Sequence, residues 1–216
     1  MLPIIVSLFT IAIILILSFV YKIYEDPFWI KEGGVIETLS ALGYFLAAFL
    51  MIVKGEWAYI KKYYYFFMLV LLFGLRELDF DKRFTTMGIF KIKFYLSSSV
   101  PLSEKLMGLF VIAALLYIIF SIVKNHYKDF FLNIKKFSPV HIGSLVIFLL
   151  LLVSKTLDGL SRKLGDLGFV MDEQLGIYFE AIEEILELGI PLLMISTLLI
   201  YFSSESSSEN SSKHSS

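Results

Sequence analysis

The sequence predicts an all-α integral membrane protein, a bundle of about six transmembrane helices with a short interfacial segment. Three observations carry that expectation. The 216 residues are 57% hydrophobic and only 18% charged, with a mean hydropathy of +0.78, whereas a soluble domain is roughly 45–50% apolar and about 25% charged. Apolar runs recur at close to the roughly 20 residues that a helix needs to cross about 30 Å of hydrocarbon. None of them alternates apolar and polar residues as a barrel strand does, so the backbone must be satisfied within helices.

Taken in order, the first run covers residues 2–21. It has no basic leader region and no small-residue cleavage site, so it reads as a retained span, with Pro3 in a first turn where its missing N–H costs nothing. Residues 25–30 (Glu-Asp-Pro-Phe-Trp-Ile) fit a bend at headgroup level. The second span is expected at 35–53 and the third at 63–78, followed by an aromatic and lysine-bearing stretch, 84–96, suited to the interface. The fourth falls at 106–123 and the fifth at 140–157. The sixth must be extended back through its glutamates, to 175–202, to reach a spanning length. These make residues 1–202 one polytopic domain, and the serine-rich segment 203–216 should be a disordered tail, too polar to bury a core.

Six spans divide the loops between two sides. One, side A, holds loops 1-2, 3-4 and 5-6, and the other, side B, holds both termini and loops 2-3 and 4-5. The near-neutral total conceals an asymmetry: 16 of the 20 acidic residues fall on side A and 4 on side B, against 11 and 8 basic residues, so that side A is net −5 and side B net +4. Counting bases alone would make side A cytoplasmic. Most side-A bases, however, are interleaved with carboxylates, whereas Lys54, Lys61, Lys62, Lys124, Lys128, Lys135 and Lys136 stand with little acid nearby. This favours a multi-pass protein with both termini on the same, cytoplasmic side.

The sixth span opens Glu180-Ala-Ile-Glu183-Glu184-Ile-Leu-Glu187, and offsets of 0, 3, 4 and 7 place four carboxylates on one helical face. A charge at the bilayer centre costs about 2.5–3.5 kcal/mol on insertion scales, so that face should meet protein, water or cations. Pro191 lacks an N–H and so deprives the Glu187 carbonyl of its helical donor. The third span ends with Arg76, Glu77 and Asp79, and the fifth with Lys155 and Asp158 followed by Arg162; both share a basic-x-Leu-Asp pattern and end on side A. Glu37 begins the second span on the same side, on a face with Ser40, Ala41, Tyr44 and Ala48 that suits close helix packing. The candidate ion- or substrate-binding set is therefore Glu37, Arg76, Glu77, Asp79, Lys155, Asp158, Arg162, Glu180, Glu183, Glu184 and Glu187.

Other chemistries find little support. There is no Cys, and His126, His141 and His214 lie on side B or in the tail, so zinc is not expected; any metal would be a hard cation such as Mg, Ca or Mn on carboxylates. The Asp158-Gly-Leu-Ser-Arg162 run lacks the spacing of the CDP-alcohol phosphotransferases. Likewise, Glu183-Glu184 lacks the Arg and His that accompany such a pair in the intramembrane CAAX-type proteases. Ser97-Ser98-Ser99 has no base in sequence reach, and the aromatics around Trp57 and Tyr63 with Lys61 and Lys62 form an interfacial belt. With 19 Lys+Arg against 20 Asp+Glu, a nucleic-acid partner is excluded as a matter of bulk charge. The expected partners are the lipid bilayer and further copies of the chain, since six short helices enclose little space. The expected function is to bind or pass a cation or proton at the side-A cluster, in transport, conduction or sensing. An enzyme acting on a lipid or lipid-linked substrate and a membrane subunit that organises a partner protein are the alternatives.

Overall fold

The computed structural model of the chain describes residues 1–30 and 33–213, without the side chains of Pro27 and residues 206–213. Lys31 and Glu32 of the side-A charge tally, and residues 214–216 of the tail, lie outside the described residues. The described chain is all-helical and contains no strand. Its elements are α1 (Leu2–Val20), a 3₁₀ turn (Ile23–Glu25), α2 (Pro27–Ile30), α3 (Val35–Lys62), α4 (Tyr64–Glu77), α5 (Phe80–Phe84), α6 (Ile92–Leu96), α7 (Leu102–Ile134), α8 (Pro139–Leu157), α9 (Leu160–Asp166) and α10 (Glu173–Lys213).

Among the described residues, five stretches are long and apolar enough to cross a membrane: Leu2–Val20, Phe28–Lys62, Leu102–Ile134, Pro139–Leu157 and Glu173–Glu205. The expected third span is not among them. It is α4, whose 14 residues reach only about 21 Å at about 1.5 Å per residue. Several apolar helices with large hydrophobic side chains on their outer faces are compatible with a multi-pass membrane protein. On α7, only Gly108, Ile118 and Ser121 of 33 residues are buried, while Leu109, Phe110, Leu116, Phe120 and Val123 are exposed.

The centre of the bundle is α10, which packs against α1, α3 and α8. One side of it joins a core of Ile4, Ile11, Ala181, Ile185 and Leu193; the other, through Ile190, joins Tyr44, Ala47, Ala48, Met51 and Val70 on α3 and α4. Small residues let the axes close in. A Cβ at Gly43 would lie 2.9 Å from Pro191 Cβ, so a larger residue there would push the helices apart, and one at Gly189 would lie 2.6 Å from the end of the Ile11 side chain, which would have to shift. A buried hydrogen bond at 2.7 Å between the Ser7 and Ser196 hydroxyls ties α1 to α10.

Three local features add to the sequence reading. The second span does not end in a loop: α3 continues to Lys62 across a break at Glu56, whose φ of 55° is non-helical. Residues 84–96 include the short helix α6 and are tied down locally: Ile89 and Phe94 build a small core with Val100, and Glu104 on α7 accepts from the Thr86 N–H and hydroxyl at 2.8 and 2.6 Å. Finally, α10 runs past Phe202, with the Ser203 and Ser204 hydroxyls bonded back to the carbonyls of Leu199 and Tyr201 at 2.7 and 2.8 Å. Serine can satisfy itself in this way without leaving the helix, so the segment that starts at Ser203 is helical at its beginning.

Candidate functional site

Two helix ends, those of α4 and α8, meet α10 at Glu187. Its position on α10, one turn before the buried Pro191 and beside Leu188, Gly189 and Ile190, leaves it only 5% exposed. A carboxylate this far from water needs partners, and two cations supply them. Lys155, in the last turn of α8, donates to Glu187 Oε1 at 2.9 Å, and Arg76, in the last turn of α4, places Nη2 3.4 Å from both Glu187 oxygens.

Each cation reaches a second acid as well. Arg76 Nη1 donates to Glu77 Oε1 at 3.2 Å, and Glu77 is also only 5% exposed. Lys155 donates to Asp158 Oδ2 at 3.1 Å. The result is a line of alternating charge, Glu77, Arg76, Glu187, Lys155, Asp158, crossing α4, α10 and α8. Basic residues at the C-terminal ends of α4 and α8 also sit where the helix dipoles favour positive charge. Asp158 caps α8 just beyond its last residue. Partial burial pushes its carboxyl up, but the bond and charge of Lys155, with Lys163 and Arg76 beyond, outweigh this and hold it below the usual aspartate range.

The four-carboxylate stripe is a gradient of depth. Glu180 is exposed, Glu183 and Glu184 are half-buried, and Glu187 is buried. Neither Glu183 nor Glu184 has a hydrogen bond or ion-pair partner among the described residues. Glu37, half-buried in the first turn of α3, accepts a hydrogen bond from the Gly33 N–H.

Three candidates fall outside this arrangement. Asp79 turns the chain at φ 49° into α5 and pairs locally with Lys82 at 2.8 Å. Arg162 is exposed on α9 and makes no ion pair among the described residues. Glu180 belongs to the stripe but faces outward. The residue that the sequence reading undervalued is Tyr44, taken only as a packing position. It is 1% exposed on α3, and the charges of Glu77, Glu187 and Arg76 all act on it. Its place one turn after Ser40 and Ala41, on the helix face that meets α10, was the available signal.

Among the described residues, no three acidic or histidine side chains gather closely enough to hold a metal ion. The acids of the cluster are spaced by Arg76 and Lys155, so a preformed Mg, Ca or Mn cage does not fit here. The stripe runs from exposed Glu180 through half-buried Glu183 and Glu184 to the held carboxylate of Glu187. Comparison with known proteins finds no family model, no characterised protein and no solved structure that matches the chain.

Proposed function

We propose that the chain is a six-span membrane protein, its five long helices joined by α4, that binds or passes a proton or small cation through the side-A cluster. In this reading α4 crosses a locally thinned bilayer, both termini lie on the cytoplasmic side with the lysine-rich loops, and further copies cover part of the apolar exterior. The observation that carries the proposal is the graded stripe. Two half-buried carboxylates without hydrogen-bond or ion-pair partners among the described residues, Glu183 and Glu184, stand between exposed Glu180 and a buried Glu187 pinned by Lys155 and Arg76. Unpaired acid at intermediate depth is costly as mere scaffolding and is useful where a charge must enter and leave. A proton is favoured over a metal ion because it needs one carboxylate at a time, whereas a hard divalent cation takes about six oxygens.

The test is flux. The pure protein in liposomes with an imposed pH or cation gradient should dissipate that gradient, followed with an internal pH-sensitive or cation-sensitive dye. Glu183→Gln and Glu184→Gln should lose the flux while retaining helicity. Normal flux in both variants would overturn the assignment.

A further inference from the structure

On side B, at the start of α8, a serine, a histidine and an aspartate form one hydrogen-bonded line. Ser138 Oγ lies 2.9 Å from His141 Nδ1, and His141 Nε2 lies 2.9 Å from Asp129 Oδ2. Asn133 donates to the other Asp129 oxygen at 2.6 Å and so fixes the carboxylate. Because an ionised carboxylate only accepts, the neutral imidazole keeps its proton on Nε2 and turns the Nδ1 lone pair to the serine hydroxyl.

We propose that Ser138 is a nucleophile, His141 its general base and Asp129 the residue that positions His141, in a bilayer-surface site that cleaves acyl esters of anionic lipids.

The backbone builds this site for local reasons. Because α7 continues to Ile134, Asp129 and Asn133 stand one turn apart on one face. The chain then reverses: Ser138 N–H bonds back to the Asn133 carbonyl at 3.1 Å, and Phe137 takes a φ of 55°, a left-handed conformation that a bulky residue seldom adopts. Pro139 opens α8, which makes Ser138 the N-cap and sets His141 one turn later.

An ordinary cap would spend the Ser138 oxygen on a backbone N–H of the first turn. Here no side chain caps that turn, and the hydroxyl faces the imidazole instead. The first internal bond of α8 is from Ile142 N–H to the Ser138 carbonyl, so the N–H groups of Val140 and His141 are uncapped donors on the same turn as the nucleophile. Donors so placed can receive a developing oxyanion.

The surroundings select the substrate. Phe131, Leu132 and Phe137 are exposed apolar side chains beside the site, suited to an acyl chain, and Lys128, Lys135 and Lys136 offer positive charge to an anionic headgroup. Ser138 Oγ would attack the ester carbonyl carbon while its proton passes to His141 Nδ1. The carbonyl-to-alkoxy bond then breaks, and the leaving oxygen takes that proton. Water, deprotonated by the same nitrogen, attacks the acyl-serine, releasing the fatty acid and returning a proton to Ser138.

The experiment uses the full chain in detergent or nanodiscs. A fluorophosphonate probe should form an adduct that mass spectrometry places on Ser138, and the protein should hydrolyse both p-nitrophenyl butyrate and phosphatidylglycerol in vesicles. Ser138→Asn, which retains a capping residue, and His141→Gln should each lower hydrolysis by about 100-fold or more with helicity unchanged. Asp129→Asn should lower kcat at unchanged KM. The absence of an adduct at Ser138, wild-type hydrolysis in Ser138→Asn, or equal labelling of His141→Gln would overturn the proposal. Cleavage of the p-nitrophenyl ester alone would overturn the lipid substrate.

Discussion

Lys155 Nζ stands 2.9 Å from Glu187 Oε1, joining the last turn of α8 to the middle of α10. The two ends of this pair are in different surroundings. The lysine side chain is 40% exposed and the glutamate side chain 7%, so the cost of losing the contact falls on the acid, which has no water to turn to.

Arg76 carries more of that burden than Lys155. It faces two buried acids, Glu77 and Glu187, so Arg76→Met leaves both of them with only Lys155 near. The expected loss is about 3 kcal/mol, the lower end of the range for a broken buried pair because the guanidinium is partly solvated. Lys155→Met leaves Glu187 with Arg76 and should cost less. Denaturant titrations in detergent compare the two, and a larger loss in Lys155→Met would contradict this ranking.

The approach of α3 to α10 is set by Gly43. Gly43→Ala places a methyl 2.9 Å from Pro191 Cβ, where neither helix has a flexible side chain to move aside. A destabilisation of about 1–3 kcal/mol follows, visible as a lower Tm. Gly165→Ala is the control, since nothing lies within 4 Å of its added carbon. Equal Tm changes in the two variants would count against the close packing.

Asp158 predicts an acid limb. Its carboxyl is held below its usual value by Lys155, Lys163 and Arg76 despite burial. The stabilisation is therefore fully present above the unfolded-state value of about 3.9 and is lost as pH falls through the lower folded value. The stability difference between wild type and Asp158→Asn should be constant from about pH 7 to pH 5 and close only below about pH 4. A difference that closes above pH 5 would show that the aspartate is not held in this way.

Depth along the stripe makes a separate prediction. Glu180 is exposed and should be dispensable, so Glu180→Gln should leave liposome flux within about twofold of wild type, while changes at Glu183 or Glu184 abolish it. Loss of flux in Glu180→Gln of the same size would mean that depth does not matter.

How much of this was legible in the sequence depended on whether local rules or tertiary reach decided the outcome. The stripe from Glu180 to Glu187 follows from helical periodicity alone, and the bases of α4 and α8 follow from where their apolar runs stop. Periodicity does not give depth, which for Glu187 comes from its Pro191 neighbourhood and the cover of α3. Asp79 and Arg162 both lie beyond the ends of α4 and α8, but αL residues at Asp79 and Gly159 redirect the chain there, and Asp79 pairs with Lys82 instead. The break at Glu56 has no proline to announce it. Ser138 and His141 are an ordinary i, i+3 pair on paper, and only the full length of α7 brings Asp129 to the imidazole.

The central place of α10 has a consequence for the order in which the molecule is made. α1, α3 and α8 precede it in the chain and each buries a face against it, whereas α4 packs against α3 and α7. During synthesis these earlier helices wait with glycine seams open and with Arg76, Glu77 and Lys155 lacking the glutamate that joins them. The packing of α3 on α4 needs no later helix, but the centre of the bundle closes only when the acidic helix arrives, and the charge line is the latch of that closure.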